Sequence, residues 1–275
     1  MTFDPDAFMA RLAGPPLVMG ILNVTPDSFS DGGRYLSAEA AIDQAERMAD
    51  EGADIIDIGA ESTRPGHSPV AVETEWRRLE PVLTGIAGLD RPVSIDTSKA
   101  AVARRALQAG AHIVNDIWGL QRDPEMAPLA AGTGAPVICM HNRETVDPVI
   151  DIVADVLGFL ERSLEIARRA GVRDDRIVLD PGFGFGKTAP QSLELLRRLD
   201  RLAELGFPLL IGLSRKRFIG HYSGEPQADA RLQGTVAANL LAAISGHAAI
   251  LRVHDVKPHR QALDFLAAFR AGGAR

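Results

Sequence analysis

The chain has 275 residues, 46% hydrophobic, 24% charged and 5% aromatic, with one cysteine and a formal charge of −6. That balance excludes a disordered or collagen-like chain and an internal disulfide framework, and it gives no basic tail for nucleic acid or polybasic anchor for a membrane. The length admits two small domains or one large one, and a single α/β barrel of about 250 residues fits it.

In chain order, Met1 to Asp6 is acidic and lacks the basic and apolar regions of a secretory signal, so residues 1–15 read as an N-terminal extension. The first strand signal is Leu17–Leu22, running into a polar stretch from Asn23 to Gly33. A helix then stops at Gly52, and the strand Ile55–Ile58 leads into Gly59 to Gly66. Pro92–Ile95 ends in Asp96-Thr97; after a helix closed by Gly110, His112–Val114 ends in Asn115-Asp116. Pro136–Met140 ends in His141-Asn142. Val153, Leu157, Leu160, Leu164 and Ala167 mark one helix face, closed by Gly171. Arg176–Leu179 runs into Asp180 to Lys187, and Leu193, Leu196, Leu199 and Leu202 step by threes along a further helix. Leu209–Leu213 runs into Ser214-Arg215-Lys216, and Ala249–Val253 into His254-Asp255. The longest apolar window, Val236 to Ile244, is broken by Asn239 and is too short to span a bilayer. A cytoplasmic protein is expected.

Eight apolar, β-branched runs alternating with helices predict a parallel sheet buried on both faces. Eight units in this length predict a closed (β/α)8 TIM barrel, with residues 1–275 as a single domain. Active sites in such barrels lie at the C-terminal ends of the strands.

Each polar residue there has a plain structural reading. Asp96 can be a helix N-cap, Asp57 a hydrogen-bonded polar group low in the barrel, Cys139 core, and Trp76 and Trp118 packing residues. Capping does not require Asp, Asn, Asp, Lys and Arg-x-His on five different strand ends. The segment Gly182 to Thr188 has Pro181 where a P-loop needs its first glycine, and neither His-Glu-x-x-His nor Gly-x-Ser-x-Gly occurs. The set suits a planar, donor-rich heterocycle joined to an anionic leaving group: carboxylates and amides accept from ring N–H groups, and a Lys donates to ring acceptors. Arg252 and His254, two apart on one strand, point the same way, as phosphate binding requires. Asn23 offers a neutral oxygen to Mg2+ carried by a diphosphate.

Five segments together resemble the dihydropteroate synthase family. They are Met19 to Gly33, Glu61 to Gly66, Asp180 to Lys187, Ser214 to Lys216 and Arg252 to Val256, in chain order within a similarity from about Leu17 to Leu263. The resemblance implies coupling of p-aminobenzoate to (7,8-dihydropterin-6-yl)methyl diphosphate, with release of diphosphate, in folate synthesis. It places Asp96, Asn115, Asp180 and Lys216 on the pterin, Asn23 on Mg2+ and diphosphate, and Thr63, Arg252 and His254 on the diphosphate. Ser214 and Val253 are carried with them as substrate-binding residues. Phe185 and the loops bearing Asp27, Phe29, Arg64 and Pro65 match the p-aminobenzoate pocket that sulfonamides mimic. The catalytic set so implied is Asp96, Lys216, Arg252, His254, Asp27 and Arg64, with closure of the first two loops about Gly32-Gly33 and Gly66.

Two departures stand out: Asn142 replaces an expected Met beside the pterin, and Arg217 replaces a small residue at the p-aminobenzoate rim. A methyltetrahydrofolate–corrinoid methyltransferase would share the pterin anchors without needing Arg252-x-His254, Lys216 or the Asn23 loop. A non-catalytic pterin-binding paralogue should have lost part of the set. Apolar helix faces near Val236 to Leu241 suggest a homodimer.

Overall fold

A computed structural model describes residues 3–25, 34–61 and 70–272. The first half runs α1 (Pro5–Arg11), β1 (Leu17–Asn23), α2 (Arg34–Asp50), β2 (Ile55–Gly59), α3 (Val72–Gly85), β3 (Val93–Asp96), α4 (Ala100–Gln108), β4 (Ile113–Asp116). It continues with α5 (Met126–Thr133), β5 (Val137–Met140), α6 (Ile152–Ala170), β6 (Ile177–Asp180), α7 (Ala189–Arg197) and α8 (Leu199–Ala203). The last elements are β7 (Leu209–Ile211), α9 (Arg217–Ser223), α10 (Leu232–Ile244), β8 (Ala248–Val253) and α11 (Val256–Arg270). The strands are parallel, follow one another around a closed barrel, and β8 pairs back onto β1.

All eight strand signals are strands, with ends shifted by at most a residue or two. Gly52, Gly110 and Gly171 follow their helices at φ of 95°, 105° and 91°, the left-handed conformation that glycine adopts without strain. The helix expected through Leu193 to Leu202 is two helices, broken at Arg198 (φ −117°, ψ 33°). Steps of three fall short of a helical turn, so an unbroken helix would carry its leucines off the sheet. The break returns Leu199 and Leu202 to the core beside Leu195.

Side chains alternate along each strand between the barrel axis and the helices. The helix-facing set forms the main core, and the axial set forms a second one. On the even strands the axial residues are Ile55, Ile113, Val178 and Ile250. Two positions further on, the same strands carry Asp57, Asn115, Asp180 and Arg252. Alternate strands contribute to one layer of a barrel, so an aliphatic floor lies directly beneath an ionisable layer.

Residues 1–15 were expected as an extension; α1 instead completes the floor. Asp4 caps it, accepting from Asp6 N at 2.9 Å, and Phe8 and Leu12 join the axial cluster. The buried Arg176, just before β6, donates to Asp6 at 2.5 Å. Phe8→Ala should therefore destabilise the barrel by about 3–5 kcal/mol, the usual range for truncating a buried phenylalanine. Urea unfolding followed by circular dichroism measures the loss.

Candidate active site

Arg252 is the centre of the ionisable layer. Its Nε donates to Asp57 Oδ2 at 2.6 Å and its Nη2 to Asp96 Oδ2 at 2.7 Å. Asn115 Nδ2 donates to the same Asp57 oxygen at 3.1 Å. The strand ends β2, β3, β4 and β8 are thereby tied through side chains. Burial works against the Arg252 charge, and Asp57 and Asp96 more than offset it, so the guanidinium is held above its usual range. Burial pushes Asp96 above the ordinary carboxylate range, and Asp57, Glu75 and Asp116 add to this against the pull of Arg252. Asp96 does not cap a helix: α4 starts after Lys99, and Ala100 N donates to Asp123. Asp116, by contrast, is a turn residue, accepting from Trp118 N at 2.9 Å and Leu120 N at 2.8 Å.

The loop after β6 forms one wall. Asp180 is buried, accepts from Gly182 N at 2.7 Å, and is raised by burial against the opposing charges of Lys216 and Arg252. At Gly182 (φ 65°) a Cβ would lie 1.8 Å from the carbonyl oxygen of His141, so only glycine permits this approach. Lys187 is buried behind the loop and donates to His141 Nδ1 at 2.7 Å, Gly182 O at 2.7 Å and Phe185 O at 3.0 Å. Burial pushes its pKa down to about 7, while three acceptors match the three protons of an ammonium. With Nδ1 of His141 accepting, its Nε2 donates to Asp155 Oδ2 at 3.0 Å. Burial first, and Lys187 second, keep His141 neutral.

The loop after β7 forms the facing wall. Lys216 Nζ stands 4.0 Å from the centroid of the Phe185 ring, a cation–π contact. Burial and the Arg252 charge bring Lys216 down to about 8. Arg215 sits at φ 58°, a conformation that costs a non-glycine residue roughly 1–2 kcal/mol. Several contacts enforce it: Arg215 pairs with Asp255 at 2.8 and 3.1 Å, and its carbonyl accepts from Arg231 Nη1 at 2.9 Å. Ser214 Oγ accepts from His254 N at 3.1 Å and lies 2.9 Å from His254 Nδ1. The hydroxyl retains its own proton to give to Nδ1, and in that tautomer a neutral His254 carries its N–H on Nε2. Burial, then Arg215 and Arg252, push this histidine down to about 3.

The structure thus gathers Asp96, Asn115, Asp180, Phe185, Ser214, Lys216, Arg252 and His254 at one barrel mouth, with Asn23 exposed at the end of β1. His254 is a neutral residue that can still act as a donor, one of the two forms phosphate binding admits. Arg252 already spends two N–H groups on carboxylates. Val253 points away from the axis into the helix-facing core, so its side chain is not part of the site. Asp27, Phe29, Thr63, Arg64 and Pro65, with Gly32, Gly33 and Gly66, lie outside the described residues. Asn142 is buried and accepts from Arg143 N at 2.8 Å, and Arg217 is exposed at the start of α9. Cys139 is buried core, its thiol pushed up by burial.

Sequence reasoning missed Lys187 and read Asp57 as merely satisfied. The signal for Lys187 was the Gly182–Lys187 run: failing as a P-loop left its lysine without a task. Asp57 carried a signal too, an ionisable residue in an otherwise aliphatic strand.

The pterin binding enzyme family matches residues 19–254 of the chain. A dihydropteroate synthase of Clostridium beijerinckii is 46% identical over 246 residues, covering 89% of this chain and 91% of that one. A solved dihydropteroate synthase from Clostridium difficile, in the presence of pteroic acid, superposes with a TM-score of 0.89 at 46% identity, covering 94% of this chain and 97% of that one. A Xanthomonas albilineans dihydropteroate synthase with 4-aminobenzoic acid gives 0.90 at 46% identity, covering 94% of each chain.

The Lys187 strut yields an expected outcome. Lys187→Met strands the acceptors on Gly182, Phe185 and His141 and should cost about 1–3 kcal/mol in thermal or urea unfolding. Because the Lys187 charge helps hold His141 neutral, the same variant should raise the His141 pKa, read by NMR titration.

Proposed function

The chain belongs to the dihydropteroate synthase family of pterin-binding enzymes, and from that membership we propose how its own residues perform the coupling. The reaction joins p-aminobenzoate to (7,8-dihydropterin-6-yl)methyl diphosphate, giving 7,8-dihydropteroate and diphosphate. The observation that carries the residue assignment is the axial layer itself: acceptors on β3, β4 and β6 face a cationic donor on β7's loop and another on β8.

In this reading Asp180, Asn115 and Asp96 accept from the donor-rich edge of the pterin, and Lys216 donates to its ring acceptors. Departure of the diphosphate leaves positive charge on the exocyclic methylene, delocalised into the ring. Asp96, kept close by Arg252, stabilises that charge electrostatically, and the aniline nitrogen then attacks the methylene. His254 donates its Nε2–H to the departing diphosphate, while Arg252 contributes charge and its remaining N–H groups. No protein nucleophile is required, consistent with a buried, protonated Cys139. Asp27, Phe29, Thr63, Arg64 and Pro65 complete the p-aminobenzoate and diphosphate contacts in this proposal.

Mg2+, when bound, neutralises the leaving diphosphate. Its fit rests on the donor set: Asn23 presents a neutral oxygen in the open at the end of β1.

We also propose that 1–275 act as a single domain and that two copies pair. Leu241 and Ile244 on α10, with Phe265 and Phe269 on the neighbouring α11, expose an apolar face suited to a second copy. Of the described residues, no helix is long and apolar enough to cross a membrane. A cytoplasmic location fits substrates that are small polar anions.

Two measurements test the catalytic reading. Purified protein should form 7,8-dihydropteroate and diphosphate when p-aminobenzoate, the pterin diphosphate and Mg2+ are all supplied; EDTA should abolish turnover and added Mg2+ restore it. Absence of a p-aminobenzoate-dependent product would contradict the assignment. Lys216 sets the alkaline limb: its ammonium deprotonates as pH rises through about 8, so kcat/KM for the pterin diphosphate should fall above that pH. Lys216→Met should lower kcat/KM and erase the limb.

A further inference from the structure

We propose that Asp57 is a positioning residue of the pterin site, one that fixes which end of the Asn115 amide meets the substrate; this rests on the reading above. Asp57 lies on β2 and is fully buried. Its Oδ2 receives both Arg252 Nε, at 2.6 Å, and Asn115 Nδ2, at 3.1 Å. An ionised carboxylate only accepts, so the Asn115 contact has to come from the amide nitrogen. The amide oxygen is then the end left for a ligand, and Asn115 becomes an acceptor for ring N–H groups. Without Asp57 a buried asparagine can turn either end to the ring, and one of those presents a donor to a donor.

The same oxygen sets Arg252. With Nε held on Asp57, the planar fork places Nη2 on Asp96 Oδ2 at 2.7 Å. Asp57 thus orients an acceptor for the ring and the cation that restrains Asp96, and on this reading touches neither substrate.

A purely structural task explains Asp57 poorly. Replacing a buried ion pair by apolar packing is often neutral or stabilising, and two positions earlier the same strand uses Ile55 in the same axial stack. Among the described residues, Asp57 Oδ1 is buried without a hydrogen-bond partner, as is Ser94 Oγ on the paired position of β3. Such groups cost stability. Orientation of Asn115 and Arg252 accounts for keeping a carboxylate at this level.

The test is Asp57→Asn, which keeps shape and places an amide against two donors. KM for the pterin diphosphate should rise about 30-fold, the scale of a lost hydrogen bond to a charged group, while KM for p-aminobenzoate moves little. On an Asn115→Ala background the same substitution should cost at least threefold less, because the amide it orients is gone. A pterin KM within threefold of the natural protein, or a penalty undiminished by Asn115→Ala, overturns the proposal. Should Asp57→Asn not fold, the natural protein decides. NMR of the Asn115 side chain should show one amide proton protected from exchange, and two freely exchanging protons overturn the assignment. If the natural protein binds no pterin diphosphate, the functional reading itself fails; binding that Asp57→Asn leaves intact sinks this inference alone.

Discussion

One guanidinium holds the centre of this barrel together. Four alternate strands change from aliphatic to polar side chains at a common level, and three of the four resulting groups meet at Arg252 and Asp57. Unpaired, a carboxylate at that depth would be neutralised or would cost several kcal/mol. Arg252 lets Asp57 and Asp96 remain close together at the mouth. Asp180 ends β6 within that layer, and the loops after β6 and β7 then need only deliver Phe185 and Lys216 around an already organised core, which they do through Gly182, Lys187 and the strained Arg215.

The floor beneath explains why that layer can be rigid. Ile55, Ile113, Val178 and Ile250 pack against one another and against Phe8 of α1, so the ionisable residues stand on a dry base. Their backbone positions are fixed by parallel ladders on both sides. In the proposed assignment rigid strands carry Asp96, Asn115, Asp180 and Arg252, and the loop after β7 adds Lys216. That arrangement suits a reaction in which one substrate is held and ionised and the other approaches.

Much of this was legible in the chain itself. The eight strands announced themselves as β-branched runs, since a strand buried on both faces has no polar side to confuse the pattern. The site residues followed because a barrel assigns chemistry to strand ends. Other features depended on contacts that spacing does not encode. Val253 lies between two site residues in sequence but on the opposite face of β8, and alternation alone could have removed it. The break at Arg198 was visible only as a stripe stepping by three. That α1 closes the floor, that His254 is neutral, and that Lys187 braces the β6 loop all require knowing which distant groups arrive beside them.

The charge of the site bears on its chemistry. The chain as a whole is acidic, at −6. Within the mouth, Asp57, Asp96 and Asp180 face Arg252 and Lys216, while His254 contributes no charge. Burial raises both Asp96 and Asp180, which trims the negative side of that balance. In the proposed reaction the carboxylates favour a pterin methylene that becomes cationic, while Arg252 and His254 meet the charge on the departing diphosphate, and both tendencies favour heterolysis.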